Sequence, residues 1–299
     1  MNEILFDIFD KFWGITEKSD AKNHATQTLP EGIKEENNFA YLPDGDHYHL
    51  LDAYYPEDNN GSLPVIIDIH GGGWMYADKE LNKIYCEYIA KRGFIVFNVS
   101  YRLCPSVTVR EQLYDVSAAL KWIDENLSRF PADRNKIMLT GDSAGGQLCA
   151  FTAAISGSEQ LREYFGTENY GIRFNCVGLT SPVAYMNVGG YLGAYGRMMW
   201  GEEPFKASAK KYMNIDELIE KAGQFPPAFL CTSSGDFLAL KQSRQLRKYL
   251  MQKGFESELY EFPVFEGKNL PHVFSVLRPM DKPGVMCIDK MCGFFAKHF

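Results

Sequence analysis

The chain has 299 residues, 45% of them hydrophobic and 23% charged, with a formal net charge of −7. This is ordinary globular composition, long enough to bury a core without disulfides or metal. The acidic balance excludes an electrostatic footprint for nucleic acid and makes an anionic membrane surface an equally poor partner. The seven cysteines are odd in number and lack CxxC or CxxH spacing, and Cys86, Cys149 and Cys231 have apolar neighbours. Buried free thiols in a reducing, cytoplasmic compartment are expected rather than a disulfide framework.

The chain opens MNEILFDIFDKFWGI. It has no basic leader region and acids interrupt its apolar residues, so it reads as neither a signal peptide nor a membrane span. Ile4, Leu5, Ile8, Phe9, Phe12 and Trp13 recur at helical spacing, which predicts an amphipathic helix. Its polar face is acidic, so the helix is expected to pack on the body of the protein, over a pocket, rather than lie on a membrane. From 38 to 55, NFAYLPDGDHYHLLDAYY places two extended runs around PDGD, an antiparallel hairpin. His47-x-His49 within it resembles a metal pair but lacks a third ligand; exposed strand positions account for it and no metal site is expected.

A regular alternation follows. LPVIIDIH (63–70) precedes a helix near 79–92, FIVFNVS (94–100) an amphipathic stretch over 109–127, and KIMLTG (136–141) a helix from Ser143. CVGLTSP (176–182) and PAFLCTSSG (227–235) are further strands, then come a helix near 240–253, SELYEF (257–262) and a last helix over 281–297. Continuously apolar strands alternating with helices predict an α/β fold whose mostly parallel central sheet, of about eight strands, is covered on both faces. One segment breaks the rhythm: 183–225, rich in Tyr, Gly and Met, is expected to form a small, mainly helical cap rather than a second core.

Four constellations carry chemistry. GDSAG (141–145) matches G-x-S-x-G: with Ser143 on a sharp strand-to-helix turn, glycine two residues to either side avoids collision with neighbouring backbone. The turn would lift the hydroxyl to a helix N-terminus, where the dipole favours a developing oxyanion. A glycine-rich turn with an idle serine is the alternative; phosphate binding fits worse, because neither GxGxxG nor GxxxxGK[ST] is present. HGGGW (70–74) directly follows a strand, and its glycines let backbone N–H groups share a cavity, as an oxyanion hole requires; His70 itself reads as a backbone brace. Asp236, in SSGDFL at a strand's C-terminal end, could orient an imidazole or cap the next helix. Of the six histidines, only His272, in NLPHVF, follows a late strand. Ser, then Asp, then His, each at a strand end, is the order of the α/β-hydrolase fold.

With HGGGW and GDSAGG in place, flanked by SYRL (100–103) and DRNKIM (133–138), the chain resembles the hormone-sensitive-lipase-like branch of α/β-hydrolases, which includes many bacterial carboxylesterases. The similarity runs from about Leu51 onward and is specific around the motifs. It implies Ser143 as nucleophile, His272 as general base, Asp236 as orienting acid, and the amides of Gly71, Gly72 and Ala144 as oxyanion hole. It also implies a catalytic domain over 36–299 with a cap built from 1–35 and 183–225. Where that branch usually has proline after the acid, this chain has Asp236-Phe237-Leu238. The expected activity is hydrolysis of a small-molecule ester with a short- to medium-chain acyl group through an acyl-enzyme, without a cofactor. Trp74, Tyr195, Met199 and Trp200, with Tyr191 and Met198, either line the substrate pocket or pack the cap onto the body. An acetyl- or feruloyl-type esterase on decorated sugars, an arylformamidase and a peptidase are rival enzymes; a non-catalytic binding protein on the same scaffold is the rival from another class.

Overall fold

The structure, a computed structural model, describes residues 3–59, 61–186, 190–201 and 212–299. In chain order the elements are α1 (Glu3–His24), β1 (Ile33–Ala40), β2 (Leu50–Pro56), β3 (Leu63–Ile69), α2 (Lys83–Ala90), β4 (Ile95–Val99), α3 (Val109–Asn126), β5 (Ala132–Asp142), α4 (Ser143–Ser156), α5 (Glu159–Phe165), β6 (Cys176–Thr180), α6 (Gly190–Trp200), α7 (Ile215–Ala222), β7 (Ala228–Ser233), α8 (Leu240–Gln252), β8 (Ser257–Phe262), α9 (Phe274–Leu277) and α10 (Lys282–Ala296).

The strands form one eight-stranded sheet in the order β1-β2-β4-β3-β5-β6-β7-β8. β1 with β2 and β2 with β4 are antiparallel, and β3 to β8 pair parallel, so this is the α/β-hydrolase architecture. Burial follows position. β4, β6 and β7 are buried at every residue, as strands covered on both faces must be, whereas edge strand β1 alternates between exposed and half-buried residues. Two apolar layers result. Ile67, Leu139 and Leu230 on one face pack with Leu113, Leu148 and Leu246 from α3, α4 and α8. Ile66, Met138 and Phe229 on the other pack with Ile89, Met291 and Phe294 from α2 and α10. Each such side chain taken fully out of water contributes about 1.5–3 kcal/mol.

Local chemistry sets the helix starts. α3 begins at a capping box in which the Thr108 hydroxyl accepts from the Glu111 amide and Glu111 accepts from the Thr108 amide, and α10 begins with a proline in its first turn. The fully buried Asp115 of α3 accepts from the backbone N, Nε and Nη2 of Arg102 at 3.1, 2.9 and 2.6 Å. This clamps the loop after β4 to α3.

Several expectations are corrected. The hairpin is present, but His47 and His49 lie in its connection, not in a strand. His49 is buried rather than exposed, with Nδ1 2.7 Å from Asp44 and Nε2 3.4 Å from Asp115; its contact with α3 is invisible to local pattern. The N-terminal helix continues to His24, and short helices α5 and α9 escaped a periodicity reading because each spans two turns or fewer. All seven cysteines are free and buried. Of the expected cap insertion, α6 and α7 are described; 187–189 and 202–211 lie outside the described residues, as do the side chains of Tyr191 and of Ile4, Leu5, Ile8 and Phe9. Among the described residues no helix is long and apolar enough to cross a membrane.

β5 passes into α4 with no intervening loop, and glycine makes this possible. A Cβ on Gly145 would lie 2.1 Å from the Ile69 carbonyl oxygen and 2.3 Å from that of His70; one on Gly141 would lie 2.5 Å from the Gly145 carbonyl. All three obstacles are backbone and cannot rotate away. Gly145→Ala is therefore expected to lose about 1–3 kcal/mol and to lower Tm by several degrees in a thermal melt. In Gly293→Ala, inside α10 with open space at the added methyl, Tm should hold or rise, because alanine is the better helix former by about 0.5–1 kcal/mol.

Candidate active site

Ser143 stands at the β5–α4 junction with φ of 50°, a left-handed backbone that a non-glycine residue adopts only when its surroundings force it. Its Oγ lies 2.8 Å from His272 Nε2, and His272 Nδ1 lies 3.0 and 3.1 Å from the two Asp236 oxygens. A carboxylate only accepts, so the Nδ1 proton points at Asp236 and Nε2 is left to accept from the serine hydroxyl. Burial alone would raise the Asp236 carboxyl, but its bond to His272, the imidazole's charge and the Ala239 amide outweigh that and hold it below the ordinary range. Asp236 also accepts from the Leu238 and Ala239 amides at 3.1 and 2.9 Å. The capping and orienting roles anticipated as alternatives therefore coexist: Oδ1 bonds to the start of α8 while the carboxylate faces the imidazole. The three residues come from the ends of β5, β7 and β8, and parallel pairing puts those ends on one rim.

The HGGGW loop lies against this rim. His70 is fully buried, stacked on Tyr101 at 4.3 Å, and donates from Nδ1 to the Gly71 carbonyl at 2.8 Å. Burial lowers it to about 4, so it is a neutral brace. Gly71 departs from expectation: its amide donates to Asp142 Oδ1 at 3.0 Å and is not available to an oxyanion. Gly72 and Gly73 turn the loop with φ of 102° and 57°, and their amides, like that of Ala144, have no partner among the described residues. The turn is held from behind, because the Trp74 carbonyl accepts from the Cys104 amide at 2.9 Å and from Gln112 Nε2 at 2.8 Å.

The residues expected to line a substrate pocket divide. Trp74, Met199 and Trp200 are buried in the core, Met199 with no exposed surface, and Trp200 packs 6.1 Å from Phe151 of α4. They seat α6 on the body, the packing role anticipated as the alternative to lining. Tyr195 faces the loop, donating its hydroxyl to the Gly73 carbonyl.

Asp142, Asn82 and Asp68 are a buried network that motif reading passed over. Asn82 Nδ2 donates to Asp68 Oδ2 and to Asp142 Oδ1, each at 2.8 Å, so Asp142 links the strand that leads into Ser143 to the glycine loop and to α2. A hint was available in the aspartate that interrupts the apolar run of β3. Burial first, then the Asp142 charge, pushes the Asp68 carboxyl up to about 8; burial pushes Asp142 up to about 6 against the opposing Asn82 bond and His272 charge. Unfolded, Asp68 titrates near 3.9. Between these values the folded state holds a proton that the unfolded state has released, so this group's contribution to stability falls as pH rises from about 4 to 8. Asp68→Asn keeps an acceptor for Asn82 but cannot ionise. Denaturant unfolding at pH 5 and pH 8.5 should show the wild type losing about 2–5 kcal/mol more than the variant across that window, and equal losses would contradict the assignment.

Comparison with known proteins agrees with the fold. The family model BD-FAE matches residues 51–184. An isoprenylcysteine α-carbonyl methylesterase of Arabidopsis thaliana is 28% identical over 238 residues, 75% of this chain, which spans only 54% of that relative's length. Esterase B of Lactobacillus rhamnosis, in a structure described as inhibited with a C4-C4 tributyrin phosphonate, superposes with a TM-score of 0.92 at 29% identity over 99% of this chain and 96% of its own. An esterase from the bacterial hormone-sensitive lipase family shares the fold at a TM-score of 0.69 and 19% identity, covering 93% of this chain and 89% of its own. With the eight-stranded sheet, these matches agree on the α/β-hydrolase fold, and the chain is similar to esterases that carry it.

Proposed function

We propose that the protein is a serine carboxylesterase for short- to medium-chain acyl esters, with Ser143 as nucleophile, His272 as general base and Asp236 as its orienting acid. The observation that carries this reading is the continuous relay from Ser143 Oγ through His272 to Asp236, at 2.8 and 3.0 Å. In acylation His272 Nε2 takes the hydroxyl proton as Ser143 Oγ bonds to the ester carbonyl carbon; the carbonyl oxygen takes up the negative charge, and the imidazolium returns the proton to the departing alkoxide. Deacylation repeats the sequence with water as nucleophile and frees the acid. The Asp236 carboxylate, kept ionised, stabilises the imidazolium formed in each half.

For the oxyanion, the reading assigns the amides of Gly72, Gly73 and Ala144. Gly73 takes the place first given to Gly71, whose amide is bound to Asp142. Donors already aimed and already short of a partner need no reorganisation as charge develops. In the same reading 36–299 is the catalytic domain, and 1–35 with 183–225 form the cap over it. The ester chemistry named for the methylesterase relative and for esterase B supports the reaction class, and the phosphonate of the latter supports a short acyl group. A ligand-binding protein on this scaffold has no need of a hydroxyl bonded to an oriented imidazole.

Ser143→Ala is expected to lower kcat on p-nitrophenyl butyrate by about 10³- to 10⁶-fold with an unchanged thermal melt, and His272→Ala by a similar factor, since the members act as a unit. Asp236→Asn should lose about 10⁴-fold by favouring the wrong imidazole tautomer. A fluorophosphonate probe should label the wild type at Ser143; no labelling and no ester turnover would overturn the reading.

A further inference from the structure

A cavity of about 570 Å³ lies beyond the glycine loop, its apolar wall formed by Trp13, Met75, Leu103, Val107 and Met198. This is the size of a small-molecule site, yet none of Ser143, Asp236 and His272 lines it. Trp13 belongs to both places. Its ring atoms Cζ2 and Cη2 lie 2.3 and 2.5 Å from where a Cβ on Gly73 would be, so the indole rests directly on the loop where no side chain stands in its way. The ring also stacks on Tyr76 at 5.5 Å and 11°, and its Nε1 is buried with no hydrogen-bond partner. The far end of α1 is pinned: Asn23 and Gln27 both donate to the Leu277 carbonyl at 2.7 Å, and Arg278 donates to Asn23 at 3.0 Å. A rigid helix anchored there holds Trp13 about 15 Å away, between the loop and the cavity.

The charges around the cavity indicate what fits. Arg102 contributes to the lining, but Asp115 holds it through Nε and Nη2, so its charge is already compensated and offers an anion little. Asp46 and His47 stand at the solvent side, with His47 70% exposed. A neutral, apolar group is the complementary occupant.

We propose that this cavity is the subsite for the larger moiety of the ester, a neutral aliphatic or aryl group of medium length, and that Trp13 is the specificity-determining residue that sets how much of it enters from the glycine loop. The proposal rests on the esterase reading and extends it to substrate size.

Chain-length profiles test it on the full-length protein. p-Nitrophenyl esters from acetate to octanoate vary the acyl side, and methyl to octyl acetates vary the alcohol side. In Trp13→Ala the ratio of kcat/KM for the longest to the shortest member of one series should rise at least tenfold, growing by up to about fourfold for each methylene that gains the cavity. Trp13→Phe, which retains an apolar ring on the loop and guards against a folding defect in the alanine variant, should shift the same ratio less. Met198→Trp, filling the cavity from its other wall, should cancel the gain in the double variant. Unchanged profiles in both series, or a gain that survives Met198→Trp, would overturn the subsite while wild-type turnover and fluorophosphonate labelling leave the esterase reading standing. If no variant turns over any ester and Ser143 takes no label, both fail together.

Discussion

The whole site depends on one close approach. At Gly145 the start of α4 comes so near the end of β3 that even a methyl group would overlap the carbonyls of Ile69 and His70. That proximity puts the Ser143 turn and the glycine loop within reach of each other, and everything else about the rim follows from it. Ser143 is held at φ of 50° because β5 and α4 are both committed to the buried core on either side of it, and the packing of two long elements outweighs the cost of one strained residue, of order 1–3 kcal/mol.

Once two backbone segments are that close, their polar groups must be satisfied without water. Asp142 meets this need: one buried oxygen takes both the Gly71 amide and Asn82. The same bond decides which loop amides remain for chemistry. A loop amide that is satisfied in the resting protein is of no use to a transient oxyanion, and one left unsatisfied raises the energy of the resting state until charge arrives. In the proposed reading, fixing the loop at Gly71 while leaving Gly72 and Gly73 open resolves that conflict by division of labour between adjacent residues. Asp142 itself is supported by Asn82, which shares its two amide hydrogens between Asp142 and the Asp68 carboxyl, and burial and the Asp142 charge keep the latter protonated up to about pH 8.

What could be read from sequence was what sequence encodes locally. Strand and helix order came from apolar runs and period, and the elbow came from glycines spaced two residues either side of Ser143. Ser143, Asp236 and His272 were named because chain order at strand ends is itself a pattern. What could not be read depends on contacts between distant segments. The Gly71 amide is taken by a residue 71 positions away, and His49 packs against Asp115 of α3 as well as against Asp44 of its own hairpin. That Met198 lines the cavity while Met199 is buried in the core is a matter of helix phase: adjacent positions on α6 point about 100° apart, and nothing within 190–200 says which direction is the body.

α1 shows how far such distant contacts reach into function. Its pattern announced an apolar face without saying what that face covers, and the answer lies in Gly73, a residue with no side chain. A glycine loop built to expose amides also exposes a concave patch of bare backbone, which water would fill unless something flat and apolar lay on it. An indole satisfies both demands. In the proposed reading it shields the amides from water, which strengthens any charge they stabilise, and it presents a rigid wall to a substrate at low entropic cost, having only two side-chain torsions to fix. On that reading the oxyanion loop and the size filter share one origin: the absence of side chains that frees the amides is also what leaves room for Trp13.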